Sequence, residues 1–431
     1  MSDIEPNIAT TTDMEPEPSS VQRTELRAEE ALERLKRGEI LENLRINRLQ
    51  LRGEFEKPVR LRNCALIRLE VEKAVFKSEV LLANCTLDRA MFRGQNVFEL
   101  SFVMDFSTLY KASIRGVTVK GNFSFGDTHA RGKLIFADCR FEGKARFWQA
   151  HFNCWADFSG CDFAQEADFR SMHMAEGLVL AKCHFHGDFL FRGSSIHKKF
   201  QLDTSTFEGL LDLSKAKLHD FVYMEGIHQG EKQRFGFLNT LGERVLVQPK
   251  QVEGHLHSEE IGKYDEAMRE YGFLKKSYSH QHRFDMEDWA FYRFKVNQRF
   301  SAERTWLRPW TKFAAFCNWL FLDIGCGYGT NPARAIRMAI VIIVGFALLY
   351  MFNIDMFYVD EKRPFADQAI ASWPNRILTS FMVSVSVFTT GLGGIRDLAK
   401  EWMTVPLIIE SLLGTFLWGL FIVAFSRKVI R

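Results

Sequence analysis

The sequence predicts a chain of unlike parts: a four-cornered β-helical solenoid over residues 46–225, a helical connector, and an α-helical domain with two transmembrane spans. Three observations carry this. Large apolar residues recur from Phe136 to Leu218 at steps that alternate five, six, five, six, a period that neither an α-helix nor a flat strand has. Two apolar runs, Met338–Ile354 and Thr404–Phe425, reach the roughly 17–25 residues of helix that cross a hydrocarbon core. Between them lies Trp373–Gly394, apolar but too short to cross and return, ending in Thr-Thr-Gly-Leu-Gly-Gly.

At 431 residues there is room for two or three domains. A net charge of +3 is nearly balanced and names no partner. The first residues, MSDIEPNIATTTDMEPEPSS, have no basic and apolar leader pattern, so no cleavable signal peptide is expected. Residues 1–23, rich in Pro, Glu, Ser and Thr, are expected to form a disordered tail. Over 24–45 the pattern turns helical. Leu26, Leu32, Leu35 and Leu41 share a face, with Glu29, Glu30, Arg34 and Lys36 mostly off it, which suits a helix capping the open end of a stack. The 8 cysteines show no CxxC or finger spacing, so neither a disulfide framework nor a zinc site is expected, in keeping with a reducing cytosol.

The repeat runs through Phe136, Phe141, Phe147, Phe152, Phe158, Phe163 and Phe169, with a small residue often two places earlier (Cys139, Ala145, Ala150, Ala156, Cys161, Ala167). Upstream, Leu61, Leu66, Val71, Phe76, Leu82 and Leu87 continue it, with an irregular register from about Gly94 to Gly132. A chain that turns a corner every five or six residues closes a coil after four corners, and such repetition decides the fold. Residues one coil apart then stack about 4.8 Å from each other. Phe141, Phe163, Phe185 and Phe207 form one interior column, and Cys139, Cys161 and Cys183 another, read as small core residues rather than a metal ladder. His129, His151 and His173 share the same spacing but precede core positions and point outward. They read as a solvated row, with pH or metal sensing as the functional alternative.

Ala156-Asp157-Phe158-Ser159-Gly160 and Ala167-Asp168-Phe169-Arg170-Ser171 resemble the A(D/N)Lxx units of the pentapeptide-repeat family, in an eleven-residue variant. The resemblance implies a right-handed quadrilateral β-helix. Some members are thought to imitate DNA with an acidic surface. Over 46–225 there are 25 Lys/Arg against 22 Asp/Glu, which does not support mimicry, and no nucleic-acid partner is expected.

Residues 226–334 read as connector and juxtamembrane region: an irregular exit over Gly226–Gln251, then helix from Glu259 to about Arg304 with breaks near Tyr278–Asp285. Leu274–Arg299 resembles the helical-hairpin connector of membrane-bound pentapeptide-repeat proteins. From Leu274 to Lys312 there are nine Lys/Arg and four Asp/Glu, with Trp306 and Trp310; this suits an anionic inner-leaflet surface, a solvated helical face being the alternative. Phe321–Thr330, FLDIGCGYGT, matches the glycine motif of class I methyltransferases, but that motif needs a βαβ unit and an apolar run follows instead. Its CGYGT also imitates a potassium filter, yet it precedes the first span. Cys326–Arg334 better resembles the GYGxxPxR element that introduces the first span of pentapeptide-repeat channel-like proteins. In that reading Pro332 and the glycines turn the chain, and Arg334 and Arg337 anchor it.

The domain over 335–431 has spans at about 338–357 and 404–425 and a re-entrant segment at 373–394. Pro374 suits the start of a short helix running to about Val387, whose negative C-terminal end would face a cation. Thr389, Thr390, Gly391, Leu392 and Gly393 can present successive carbonyls as a filter-like ion site. Glu410 and Gly414 in the second span would support it, because an intramembrane carboxylate needs a partner or a function. Over Cys326–Arg431 the arrangement resembles two-helix potassium channels. Against their TVGYGD filter, Leu392 stands at the Tyr and Gly394 at the Asp, so potassium selectivity is not implied.

The expected function is a homotetrameric cation-channel-like membrane protein under a cytoplasmic β-helix; the alternative is a non-conducting membrane-anchored scaffold whose β-helix binds a protein. The chain is read as no enzyme, with no catalytic residue, no metal and no cofactor beyond K⁺ or another monovalent cation in the pore. Expected partners are the lipid bilayer, further copies of the chain, and a cytoplasmic ligand or protein. Arg334 and Arg337 before the first span, and Arg427, Lys428 and Arg431 after the second, place both termini on the cytoplasmic side of a plasma or inner membrane.

Overall fold

A computed structural model describes residues 23–303, 309–354, 372–390 and 401–429. The chain forms two compact units that divide between Arg234 and Phe235.

The first unit is a parallel-sheet β-solenoid; the fold runs to about ten turns. Phe141 pairs with Phe163, Phe163 with Phe185 and Phe185 with Phe207 in parallel register. Their rings stack at 5.0, 4.7 and 4.7 Å. Each coil therefore buries one phenyl on the last, and the columns form a continuous apolar core.

The alternation of five- and six-residue steps has a backbone cause. Asp127, Asp138, Gln149, Gly160, Ser171, Lys182, Gly193, Thr204 and Lys215 all adopt left-handed φ, between 49° and 72°. From Asp138 onward, each lies inside a five-residue step, whereas the six-residue steps turn without one. Two corner types thus alternate, and the left-handed corner is tighter by one residue. The residue after such a corner is buried, and where it is Cys or Ser its side chain donates to a carbonyl of the preceding coil. Cys139 Sγ reaches Ile114 O at 3.4 Å and Cys161 Sγ reaches Phe136 O at 3.5 Å, as Ser194 Oγ does to Phe169 O at 2.7 Å. The cysteines are thus buried thiols in a serine-like corner role. Neighbouring thiols Cys139 and Cys183, with burial, push Cys161 well above the usual range, favouring the unreactive thiol. A left-handed residue other than glycine costs about 1–2 kcal/mol. Lys182→Gly is therefore expected to raise the urea midpoint of the solenoid and Lys182→Val to lower it. Equal losses from both would contradict this account of the corner.

The irregular register expected over Gly94–Gly132 comes from mixed coil lengths: Asn96 pairs with Val117 and Phe102 with Phe123 at 21 residues but Ala112 with Leu134 at 22, and coils further upstream are as short as 20. Leu41 pairs with Leu61 and Leu61 with Leu82, separations of 20 and 21, while Phe123 pairs with Ala145 at the full 22. Here 12-residue strands, Leu44–Phe55 and Ala65–Phe76, run through corners, with a register shift at Arg52/Gly53.

The predicted helix over 24–45 is shorter than its pattern. Thr24–Glu25 is a strand paired with Leu44–Arg45, and helix α1 spans Ala28–Lys36. Gly38, at φ 83°, stops it by a left-handed terminus. Leu41 accordingly lies buried in the strand Ile40–Glu42 rather than on the helix. At the other end, coil pairing continues past Met224: Thr206 pairs with His228 in register. The pattern is lost there because Ile227 and Gln229 stand where earlier coils carry serine and phenylalanine.

The histidine row is longer than the three residues predicted. His129, His151, His173, His197 and His219 form a column with successive ring centroids 4.9, 5.9, 5.3 and 4.5 Å apart. Burial and the neighbouring imidazoles His197, His151 and His219 hold His173 below the usual range. A depressed folded-state value means the unfolded chain binds the proton first, so stability falls as pH drops below about 6.5. His173→Asn is expected to flatten the fall in urea midpoint between pH 7.5 and 5.5; an unchanged slope would assign it elsewhere.

In the second unit, strand Val245–Leu246 and short helices α2 (Pro249–Val252) and α3 (His257–Glu260) lead into a hairpin. Its arms are α4 (Tyr264–His280) and α5 (Phe284–Glu303), broken where the sequence predicts. Buried Glu270 accepts from Phe237 N at 2.7 Å and from the Ser258 hydroxyl. Tyr278 OH donates to Val247 O at 2.9 Å. Helix α6 (Pro309–Cys317) follows, then α7 (Pro332–Phe352), α8 (Trp373–Thr390) and α9 (Thr404–Val429). Helices α7 and α9 are long and apolar enough to cross a membrane, with mean hydropathy 2.4 and 2.1. They differ from core helices in exposing their apolar side chains: Val341 is 66% and Val423 61% accessible. Contiguous apolar surface of this kind marks a membrane or protein contact.

Candidate functional site

The site is built where α7, α8 and α9 pack against one another. A shared apolar cluster holds them: Tyr350 from α7, Val387 from α8, Met403 at the end of the 3₁₀ turn before α9, and Leu407 in the first turn of α9. Inside this packing sits Glu410, fully buried. Tyr350 OH donates to its Oε2 at 2.6 Å, and the Ser384 hydroxyl meets its Oε1. Ser384 Oγ also lies 2.9 Å from Ile343 O. One carboxyl therefore ties all three helices through two hydroxyls, in surroundings where an unpartnered carboxylate is costly.

One turn further along α9, Gly414 meets the backbone of α8. A Cβ there would sit 2.2 Å from Phe388 O, closer than any real contact. Gly414→Ala must push the helices apart, and overpacking of this kind costs about 1–3 kcal/mol. The variant is expected to lose that much against detergent denaturation, while Gly419→Ala, at an open position, should lose little.

Of the filter-like residues, Thr389 and Thr390 belong to the last turn of α8, so the helix runs beyond Val387. Their hydroxyls bond back to Val385 O at 2.8 Å and Ser386 O at 2.7 Å. A threonine can satisfy itself this way inside a helix, which is why the pair need not begin the turn. Gly391, Leu392 and Gly393 lie outside the described residues.

A second knot stands where the chain enters α7. The stretch preceding the glycine motif is helical: Asn318–Ile324 forms π-helical turns and Gly327–Gly329 a 3₁₀ turn. A nucleotide-binding glycine motif would need a strand there. Gly327, Tyr328 and Gly329 all take left-handed φ, 56°, 54° and 78°. Asn331 then caps α7 by accepting from Ala333 N at 3.0 Å, with Pro332 in its first turn. Asp323 is the hub. It accepts from Arg299 Nη1 at 2.6 Å and from Tyr292 OH at 2.8 Å, both on α5. Arg334 Nη1 donates to Asp323 O at 3.2 Å, and its guanidinium lies 4.8 Å over the Tyr292 ring. At the far end of α9, Arg427 pairs with Asp288 of α5 at 3.0 Å and lies over Phe291.

Sequence reasoning therefore finds Glu410 and Gly414 but misses Tyr350, Ser384 and Asp323. A buried carboxylate needs donors, and Tyr350 carries the one hydroxyl between Pro332 and Phe352, but Trp373–Thr390 holds six, Thr379, Ser380, Ser384, Ser386, Thr389 and Thr390, so the letters do not single out Ser384. The basic residues read as a membrane-facing collar are partly spoken for. Arg299, Arg334 and Arg427 each engage α5 or Asp323, leaving less cationic charge for lipid.

Comparison of the chain with protein-family models, with curated proteins and with solved structures found no match to any of them.

Proposed function

We propose that the chain is one subunit of a homotetrameric, cation-channel-like membrane protein with a pentapeptide-repeat solenoid on the cytoplasmic side. The observation that carries the reading is the Glu410 knot. Helix α8, which among the described residues is not one of those apolar enough to cross a membrane, is fastened between two apolar helices by one buried carboxyl and by the close approach at Gly414. This is the packing a pore helix needs beneath a filter. A single two-helix subunit cannot enclose a pore, so four are invoked, with carbonyls of the Thr389–Gly393 segment facing a shared axis and a monovalent cation. Asp323 and Asp288 give the connector helix α5 a grip on both α7 and α9, a route by which a ligand or protein on the solenoid could bias the pore. The basic residues Arg334 and Arg337 at the start of α7 and Arg427 and Lys428 at the end of α9 support a cytoplasmic face for both termini in a plasma or inner membrane. No catalytic role is proposed.

The second reading, a non-conducting anchored scaffold, is favoured by Leu392 and Gly394, which lack the ring and the charge of a potassium filter. Single-channel recording of purified tetramer in planar bilayers, under potassium, sodium and impermeant-ion gradients, separates the two. Currents that reverse with the cation gradient are expected; silence from verified tetramer favours the scaffold. Leu392→Tyr with Gly394→Asp should raise potassium preference, and unchanged permeability would sink the filter assignment.

A further inference from the structure

The outward positions flanking the Phe163–Phe185–Phe207 column hold a cluster that neither the pore reading nor the histidine row uses. Phe185 is flanked by His184 and His186, two residues apart and hence on one face of the strand. One coil earlier Asp162 pairs with His184. One coil later His184 pairs with Thr206, which brings Glu208 beside His186. The solenoid register thus sets two imidazoles and two carboxylates on a small grid. His184 Nε2 lies 2.8 Å from Glu208 Oε1, and His186 Nδ1 lies 3.3 Å from the same oxygen. His186 Nε2 lies 3.5 Å from Asp162 Oδ1. Ligand atoms of His184, His186 and Glu208 all fall within 4.8 Å of one another.

The geometry points to a divalent transition-metal site of the zinc class, held by His184, His186 and Glu208, with water as the fourth ligand and Asp162 accepting from the outer nitrogen of His186. A tetrahedral ion with bonds of about 2.1 Å sets its donors about 3.4 Å apart, so the side chains need only small rotations. Two imidazoles with carboxylate oxygens suit zinc and its neighbours better than calcium or magnesium, which take oxygen alone. The site lies on the solvent side and all four residues are part-exposed, so an ion can enter without opening the core. Because the ligands come from two adjacent coils and Asp162 from a third, a bound ion would clamp those coils together and stabilise the folded state.

The test uses tag-free full-length protein in detergent micelles, titrated with Zn²⁺ alone by calorimetry and with Co²⁺ followed by its visible bands. One ion per chain is expected at this site, with a tetrahedral cobalt spectrum and a rise in melting temperature. His184→Ala with His186→Ala should abolish all three. Glu208→Gln should weaken binding by at least about ten-fold, the loss seen even on removing an outer partner of a metal ligand. His197→Ala with His219→Ala, in the separate imidazole column, should leave the site intact. Absence of stoichiometric binding, or binding that survives the His184/His186 double variant, overturns the proposal. Circular dichroism at matched temperature confirms that the variants, altered only on the surface, keep the coil.

Discussion

Asp323→Ala is expected to cost the second unit about 3–5 kcal/mol. The Arg299–Asp323 pair is nearly withdrawn from solvent, with side chains 11% and 10% accessible. Truncating the acid leaves the Arg299 guanidinium buried without its counter-charge and takes the acceptor from Tyr292 OH. The penalty is mostly that stranded charge, so replacing both members, Arg299→Met with Asp323→Leu, should recover part of the loss. Unfolding in detergent, followed by tryptophan fluorescence, measures both. A single variant within about 0.5 kcal/mol of the parent, the range of an ordinary surface change, would show that the pair holds nothing together. If the pair also transmits from α5 to α7, Asp323→Asn should alter the open probability of a conducting tetramer more than its unit conductance.

Glu410→Ala should cost about 2–4 kcal/mol, because the Tyr350 hydroxyl loses its carboxylate acceptor, Ser384 keeps only Ile343 O, and a cavity opens among three helices. Tyr350→Phe removes one arm alone and should cost less, about 0.6–1.7 kcal/mol, the range seen for hydrogen bonds inside membranes. In a double-mutant cycle the Tyr350 effect should vanish on the Glu410→Ala background. Additive losses would mean that the 2.6 Å contact carries no coupling. Glu410→Gln is the informative intermediate. It keeps an acceptor for Tyr350 and room for Ser384, so it should retain most of the stability if hydrogen bonding, not charge, is what α7, α8 and α9 share.

Much of the solenoid is legible in the letters because stacking converts a 22-residue period directly into columns. The phenylalanine ladder needs nothing more. The corners are less legible: residues such as Lys182, Ser171 and Lys215 take left-handed φ without being the Gly or Asn that would announce it. The shortened early coils hide because 12-residue strands replace the short segments that set the later rhythm. In the helical part, Glu410 stands out as a charge in an apolar run, whereas Tyr350 and Ser384 do not, since a hydroxyl in such a run is ordinary. Asp323 is concealed by its company: set in FLDIGCGYGT, it reads as part of a nucleotide motif or a hinge, and only the fold brings Arg299 from 24 residues upstream onto it. The His184, His186, Glu208 and Asp162 grid follows from the period alone, since 162 and 184, and 186 and 208, differ by one coil. The eye goes instead to the longer histidine row.

The pore reading turns on where α8 points once chains assemble. A structure of the full-length protein in lipid nanodiscs would test it. The account predicts four copies whose α8 C-terminal ends converge on one axis within the bilayer, with the Thr389–Gly393 backbone lining that axis and Glu410 of each copy still joined to Tyr350 and Ser384. Copies whose α8 ends face lipid, or whose α7 and α9 lie outside the bilayer, would contradict it.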